Sequence, residues 1–402
     1  MRVVLVTYGS RGDVQPLLAL TLSLKEAGHR VLMICPPERV PWVRGYGCDA
    51  MGLGRNVTAF LDSMSRAHSP AAPFQFMAFV RRELARQFDL LLDLAAGADL
   101  VVGSSLAFGL ATVAERLGVP YRYIAFTPQL LPSSRHPFMA FKHQGLPGWW
   151  NRLTWHMAST VDRINLTKLI NDRRRAWGLL SIQDAWPHIL GPRVMVASDA
   201  GIYPVPSDVK IDAAQTGYLH LDQPGVRLAA LEAFLDAGPA PVYVGFGSMP
   251  RRDQARNVSL VARAARAAGR RVIIGRFWKG ATPFDREDDV FFLKGYPHLK
   301  LFPRMAAVVH HGGAGTTATA TASGVPQVIV PHVLDQYSWG HRVWRAGLGP
   351  RPVWRSRLTW RRLALSLEEA LGREEFKETA VRVARGIDRK RSLARAVQEL
   401  SG

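Results

Sequence analysis

Two cysteines, Cys35 and Cys48, are all that the 402 residues contain. That excludes a disulfide scaffold and makes a reducing compartment the expected setting. Acidic residues are scarce as well. There are 32 of them against 52 lysines and arginines, which leaves a formal net charge of +20 and a pI near 10.7. No apolar run reaches the roughly 18 residues of a membrane-spanning helix, and the chain opens on a strand-like Arg2–Thr7 rather than on a leader. A cytoplasmic location is therefore expected, with peripheral membrane attachment open. Low-complexity tracts are missing too. With 48% hydrophobic and 21% charged residues the chain is globular, and its length suits two or three domains.

The arginine surplus is compatible with nucleic acid, an anionic membrane surface or anionic small molecules. Its members are scattered: Arg81–Arg82, Arg173–Arg175, Arg251–Arg252, Arg270–Arg271 and Arg351–Arg362. None forms an aromatic-interleaved nucleic-acid module, so nucleic acid is not an expected partner. A generally basic surface remains the plain alternative to an anionic membrane.

What the chain does have is strand–helix alternation. Val3–Thr7 reads as a strand, Leu17–Ala27 as a helix stopped by Gly28, and Arg30–Cys35 as the next strand. Parallel strands with a crossover helix make a β-α-β unit. Leu100–Ser105, the helix Phe108–Leu117 and Tyr121–Phe126 repeat it. Residues 128–190 break the rhythm with Pro128, Pro132, Pro137 and Pro147 and then Trp149, Trp150, Arg152 and Trp155. Such an excursion suits an apolar acceptor or a membrane interface, or packs on its own aromatics. Alternation resumes at Val194–Ala197. A second α/β unit starts after Gly217–Gly225, with strands at Pro241–Gly247, Val272–Gly275, Val290–Leu293, Met305–Val309 and Val325–Val330, and a helix near Asn257–Ala268. Two doubly wound halves imply a cleft between them. Expected boundaries are 1–216, 217–380 and a C-terminal helix, 381–402, packing back on the first half.

The chemistry gathers at the carboxyl edge of the second half, where open α/β sheets place ligands. Gly247–Ser248 follows one strand, Tyr296–Pro297–His298 another, His310–Thr317 a third and Asp335–Gln336 the last. Glycines let backbone N–H groups approach a phosphate, and a helix N-terminus adds about half a positive charge. Carboxylate and carboxamide suit sugar hydroxyls. A phosphate cradle and a sugar reader one strand apart point to a nucleotide sugar. The competing structural reading is an ordinary β-turn-α connection with core histidines. For Asp13 it is a helix N-cap, and His29 is expected to be structural.

These segments resemble the GT-B glycosyltransferases of family 1, in the UDP-glycosyltransferase superfamily and its bacterial antibiotic-type and sterol-type branch. The matching residues are Gly9–Pro16, Val244–Met249, Pro297–His298 with Leu301–Pro303, His310–Thr317, Gly324–Gln327, and Pro331 through Asp335–Gln336 to Trp339–Gly340. They are collinear with the family to about residue 350. The resemblance implies an α/β GT-B fold of two Rossmann-like doubly wound domains facing across a cleft. It also implies inverting transfer of a hexose from a UDP- or dTDP-linked sugar, UDP-glucose among the donors. The acceptor is a hydroxyl of an apolar natural product, sterol or lipid. His311, Thr316, Gly313, Gly315 and Ser248 would hold the diphosphate, and Tyr296 and His298 the nucleotide. Asp335 and Gln336 would bind the sugar, and Asp13 would be the base. Aspartate is a weak base, but it can take the proton late, as the sugar becomes oxocarbenium-like.

No paired acidic motif for a diphosphate-bound Mg²⁺ is present, so no metal and no further cofactor is expected. Trp278 follows a strand where an aromatic suits a base, although the resemblance is poor there. Three other readings stay open: a nucleotide-sugar epimerase on the same fold, a catalytically inactive transferase partner, and a nucleic-acid binder suggested by charge.

Overall fold

The computed structural model describes residues 1–57, 72–225, 228–246, 254–275, 289–293 and 295–402. Two wholly parallel sheets organise them. The first contains β1 (Arg2–Tyr8), β2 (Arg30–Cys35), β3 (Asp49–Gly52), β4 (Leu100–Ser105), β5 (Tyr121–Ala125), β6 (Arg193–Val196) and β7 (Asp212–Gln215). Its spatial order is β3-β2-β1-β4-β5-β6-β7. The second contains β8 (Val242–Gly245), β9 (Val272–Gly275), β10 (Val290–Leu293), β11 (Ala307–His310) and β12 (Gln327–Ile329), in the order β10-β9-β8-β11-β12. Strand order reverses beside β1 in one sheet and beside β8 in the other. Both switch points are where a doubly wound sheet opens a ligand crevice.

Burial on both faces explains the near-continuous apolar strands. Val4, Val6 and Tyr8 of β1 enter one core with the 100–125 and 166–196 segments. Val3 and Leu5 enter the other, with Leu17, Leu20 and Leu24 of the helix Arg11–Glu26. Ala396 and Leu400 of the last helix, Arg389–Ser401, close that second core. His29 ties the chain ends there: Nδ1 lies 3.4 Å from the Met1 amino group and Nε2 3.2 Å from the Ser401 hydroxyl. A further cluster joins Ile202 and Tyr203, just after β6, to Ile329, Trp339, Val343, Leu348 and Ala380 of the second half.

Several local expectations are corrected. The first helix begins six residues before Leu17, where the sequence pattern starts it. The helix starts at Arg11 because Ser10, not Asp13, is its N-cap. The cradle helix starts at Ala314, inside the glycine-rich stretch, with Gly313 as its N-cap. The 128–190 excursion is largely helical, with α-helices at Gly148–Asp162, Lys168–Ala176 and Ala185–Leu190. Strands β3 (Asp-Ala-Met-Gly) and β7 (Asp-Ala-Ala-Gln) carry no strand pattern in the sequence, because short polar edge strands lack the β-branched signal. The terminal helical stretch divides at Gly386–Asp388, where Asp388 accepts the Arg391 N–H at 2.9 Å and starts the last helix.

Candidate active site

The first half contributes Asp13 from the opening turn of its first helix. Ser10 and Asp13 form a capping box. The Ser10 N–H donates to the Asp13 carboxylate at 2.6 Å, and the Ser10 hydroxyl to the same oxygen, Oδ2, at 2.8 Å. A side chain on Gly9 would collide with that carboxylate, since its Cβ would sit 2.5 Å from Oδ2. The other oxygen, Oδ1, accepts the Ser105 hydroxyl at 2.6 Å from the end of β4. Ser105 has φ 54°, and its carbonyl accepts the buried Tyr123 hydroxyl at 2.8 Å. Strands β1 and β4 flank the switch point, so the fold itself brings Asp13 and Ser105 together.

In the second half, β11 delivers the glycine turn. His310 is fully buried as the last residue of β11 and packs within the sheet. Its Nδ1 accepts the Gly312 N–H at 3.1 Å, so Nε2 carries the proton and donates to Gln327 Oε1 at 3.0 Å. Gln327 in turn donates to Thr321 at 2.9 Å. Burial pushes the His310 imidazole down to about 3. His310 is thus a neutral brace behind the turn.

Gly312 takes φ 86°, and any Cβ there would meet Ile329 at 2.9 Å and the Gln336 carbonyl at 3.0 Å. Gly313 is the N-cap, and its missing side chain leaves room for His311, whose Nε2 lies 2.6 Å from where a Cβ would be. Burial lowers the His311 pKa, with the Gly245 carbonyl pulling the other way. The helix holds four threonines. Thr317, Thr319 and Thr321 bond back to the carbonyls four residues earlier, at 3.0, 2.8 and 2.8 Å. Among the described residues the Thr316 hydroxyl has no such partner, and it lies in the first turn, where the helix N–H groups are also unpaired. Ser248 and Trp278 lie outside the described residues.

Asp335 is the half-buried N-cap of the helix Gln336–Arg345. Desolvation, then the Asp13 charge, raise its carboxyl to about 7, while the Trp339 indole N–H pulls it down. Gln336 is partly engaged: its Oε1 accepts the His332 and Val333 N–H groups at 2.9 and 3.1 Å, leaving its amide nitrogen for a ligand. His298 is bonded to the Tyr243 hydroxyl at 3.0 Å and stacks on Phe302 at 4.5 Å. Burial, then Arg11 and His311, push it down to about 4. Tyr296 packs partly buried on the Tyr243–Phe302 core.

Two participants carry no sequence signal, and a third, Arg11, is marked only as a member of the Gly9–Pro16 stretch. Tyr218 sits in a segment that reads as a linker. Yet its hydroxyl lies 2.6 Å from where a Gly315 side chain would begin, and burial, then Asp13 and Asp199, push its pKa well above the ordinary phenol value. Ser105 is invisible because its role depends on β4 lying beside β1. Arg11, stacked 5.0 Å over Trp42, adds positive charge near His298 from the opposite half. The helices Arg11–Glu26 and Ala314–Ala322, one from each half, contact one another. No cluster of three or more metal-ligating side chains occurs among the described residues.

Residues 3–133 match the glycosyltransferase family 28 N-terminal domain, and residues 287–400 match the erythromycin biosynthesis protein CIII-like C-terminal domain. The vancomycin aglycone glucosyltransferase of Amycolatopsis orientalis is 36% identical over 87% of this chain and 85% of its own. A sterol 3-beta-glucosyltransferase of Arabidopsis thaliana is 31% identical over 99% of this chain and 67% of its own. The solved glycosyltransferase of kitacinnamycin superposes with a TM-score of 0.76 at 19% identity, covering 100% of this chain and 98% of its own. With a relative so similar over nearly its whole length, and with two parallel doubly wound sheets, this chain belongs to the GT-B glycosyltransferases of the UDP-glycosyltransferase superfamily, in the antibiotic- and sterol-type branch.

Proposed function

We propose that this glycosyltransferase moves a hexose from a UDP- or dTDP-linked sugar, with inversion, to a hydroxyl of an apolar small molecule, a natural product, sterol or lipid. The observation that carries the reading is Asp13, held by three hydrogen bonds at the first sheet's switch point and close enough to raise Asp335, which follows β12 of the second sheet. Asp13 would take the acceptor proton. The acceptor oxygen forms the new bond to the anomeric carbon as the diphosphate leaves from the opposite face, so a single displacement inverts the centre. The Gly313–Thr316 N–H groups, the Thr316 hydroxyl and His311 would meet the charge that develops on the diphosphate. Asp335 and the Gln336 amide would hold sugar hydroxyls, with Tyr296 and His298 on the nucleotide side. No metal is required in this reading. Peripheral contact with an anionic bilayer belongs to the same proposal, because the acceptor is apolar and the chain is basic.

Neither an epimerase nor an inactive partner is favoured, since an acceptor-side carboxylate opposes a donor edge that carries His311, Thr316, Asp335 and Gln336. A panel of sugar nucleotides and apolar acceptors, with product configuration read by NMR, tests the assignment. Turnover with an inverted anomeric centre supports it. No transfer from any donor, or retained configuration, would refute it.

A further inference from the structure

The helix Gly148–Asp162 is fastened by polar residues and leaves apolar ones in solvent. On its inner side Asn151 donates to the Ser134 and Leu146 carbonyls at 2.8 and 3.1 Å, and Thr154 accepts the Phe138 N–H at 2.9 Å. The Trp155 indole donates to the His136 carbonyl at 3.2 Å. On its outer side Trp149 is 61% exposed, Met157 51%, Val161 56% and, one turn on, Ile164 73%. Trp150 and Leu153 join them. At about 100° per residue these six fall within an arc of roughly 120°. The neighbouring arc carries Arg152 and His156, both exposed, and Arg163, exposed but paired with Asp184 at 2.7 Å. Soluble monomers rarely leave so continuous an apolar stripe uncovered.

Charge decides between occupants. A second copy of this chain would bring another +20 against the basic arc. An anionic surface complements it, and an apolar arc beside a basic one is the pattern of a helix lying in a membrane interface. No helix among the described residues is long and apolar enough to cross a membrane, so such contact is peripheral. The stripe also borders the cleft. The loop leading into the helix places Gly145 against His341 and the His143 ring 5.3 Å from Trp354, both in the second half.

We infer that the outer face of the Gly148–Asp162 helix docks on an anionic lipid bilayer through Trp149, Leu153, Met157, Val161 and Ile164. The docking is independent of catalysis. Its use, handing a membrane-dissolved acceptor to the cleft, rests on the proposed transfer.

Flotation of the full chain with phosphatidylcholine vesicles, with and without phosphatidylglycerol, tests the docking without any turnover. Wild type is expected to float with the phosphatidylglycerol vesicles and less so at high salt. A Leu153→Ser/Met157→Ser/Ile164→Ser variant should lose affinity on the order of a hundredfold while keeping its Tm and its binding of nucleoside diphosphate. Arg152→Glu should weaken flotation and flatten the salt dependence. Wild type remaining unbound would overturn the inference. So would a triple variant that floats like wild type, or sedimentation showing a wild-type dimer that the triple variant dissociates. Loss of transferase activity with docking intact would count against the functional assignment instead.

Discussion

Ser105, in a left-handed backbone conformation at the end of β4, donates its hydroxyl to Asp13 Oδ1 at 2.6 Å. A non-glycine residue at φ 54° carries a backbone cost of about 1–3 kcal/mol. The hydroxyl at this position orients the carboxylate proposed as the base.

Substitutions separate the two effects. Asp13→Asn should lower kcat by about 10²–10⁴-fold with little change in Tm, since the amide oxygen still accepts the cap bonds. Ser105→Ala should lower kcat about tenfold, as expected for one lost charge-assisted bond. Ser105→Gly should lower kcat similarly yet raise Tm by relaxing the backbone. Unchanged kcat in both Ser105 variants would refute the positioning role.

Asp335 should make sugar recognition depend on pH. Its carboxyl is raised to about 7 by desolvation and by Asp13, so it is ionised above that pH and protonated below. The gain in affinity of a sugar nucleotide over its free nucleoside diphosphate should therefore grow as pH rises through 7. Replacing Asp13 with Asn removes a negative neighbour and should move this midpoint to lower pH. Calorimetric titration with both ligands across pH 5.5–8.5 (roughly the span bracketing that value) reads it directly.

The same shift carries a stability consequence. A carboxyl raised on folding favours the folded state when protonated. That contribution is lost as pH climbs from the ordinary carboxylate range through about 7. Asp335→Asn should thus melt no lower than wild type at pH 8, while binding the sugar nucleotide more weakly. A lower Tm at pH 8 would contradict the desolvation argument.

Thr316 and Thr317 are adjacent and expected to behave differently. Thr316→Ala removes a hydroxyl that has no partner among the described residues and should weaken nucleoside diphosphate binding by roughly tenfold or more at unchanged Tm, the usual cost of a bond to a charged group. Thr317→Ala breaks a back-bond to Gly313 in a fully buried site and should lower Tm. Gly313→Ala should weaken binding too, because its new Cβ displaces the His311 ring.

Metal removal offers an independent check. Turnover in EDTA should equal turnover in Mg²⁺, because helix N-termini and neutral donors meet the leaving diphosphate in the proposed mechanism. Restoration of a lost activity by Mg²⁺ alone would overturn it.

Much of this protein was legible in its sequence. Apolar, β-branched runs closed by glycine mark the central strands, because strands buried on both faces admit little else. The His-His-Gly-Gly-Ala-Gly-Thr-Thr stretch marks the cradle because each residue there meets a local constraint. Gly312 needs its positive φ, Gly313 needs room for His311, and the helix needs an opening turn with free N–H groups. Other features became visible when distant segments were brought together. Thr316 is singled out from its neighbours once their back-bonds are seen. Ser105 reaches Asp13, 92 positions away in the chain, because β4 pairs with β1. Tyr218 reaches Gly315 from what reads as a linker. The raised carboxyl of Asp335 depends on an aspartate in the other half. Local sequence determines backbone geometry, whereas burial, charge coupling and shared hydrogen bonds belong to pairs of residues, and the tertiary structure decides which pairs exist.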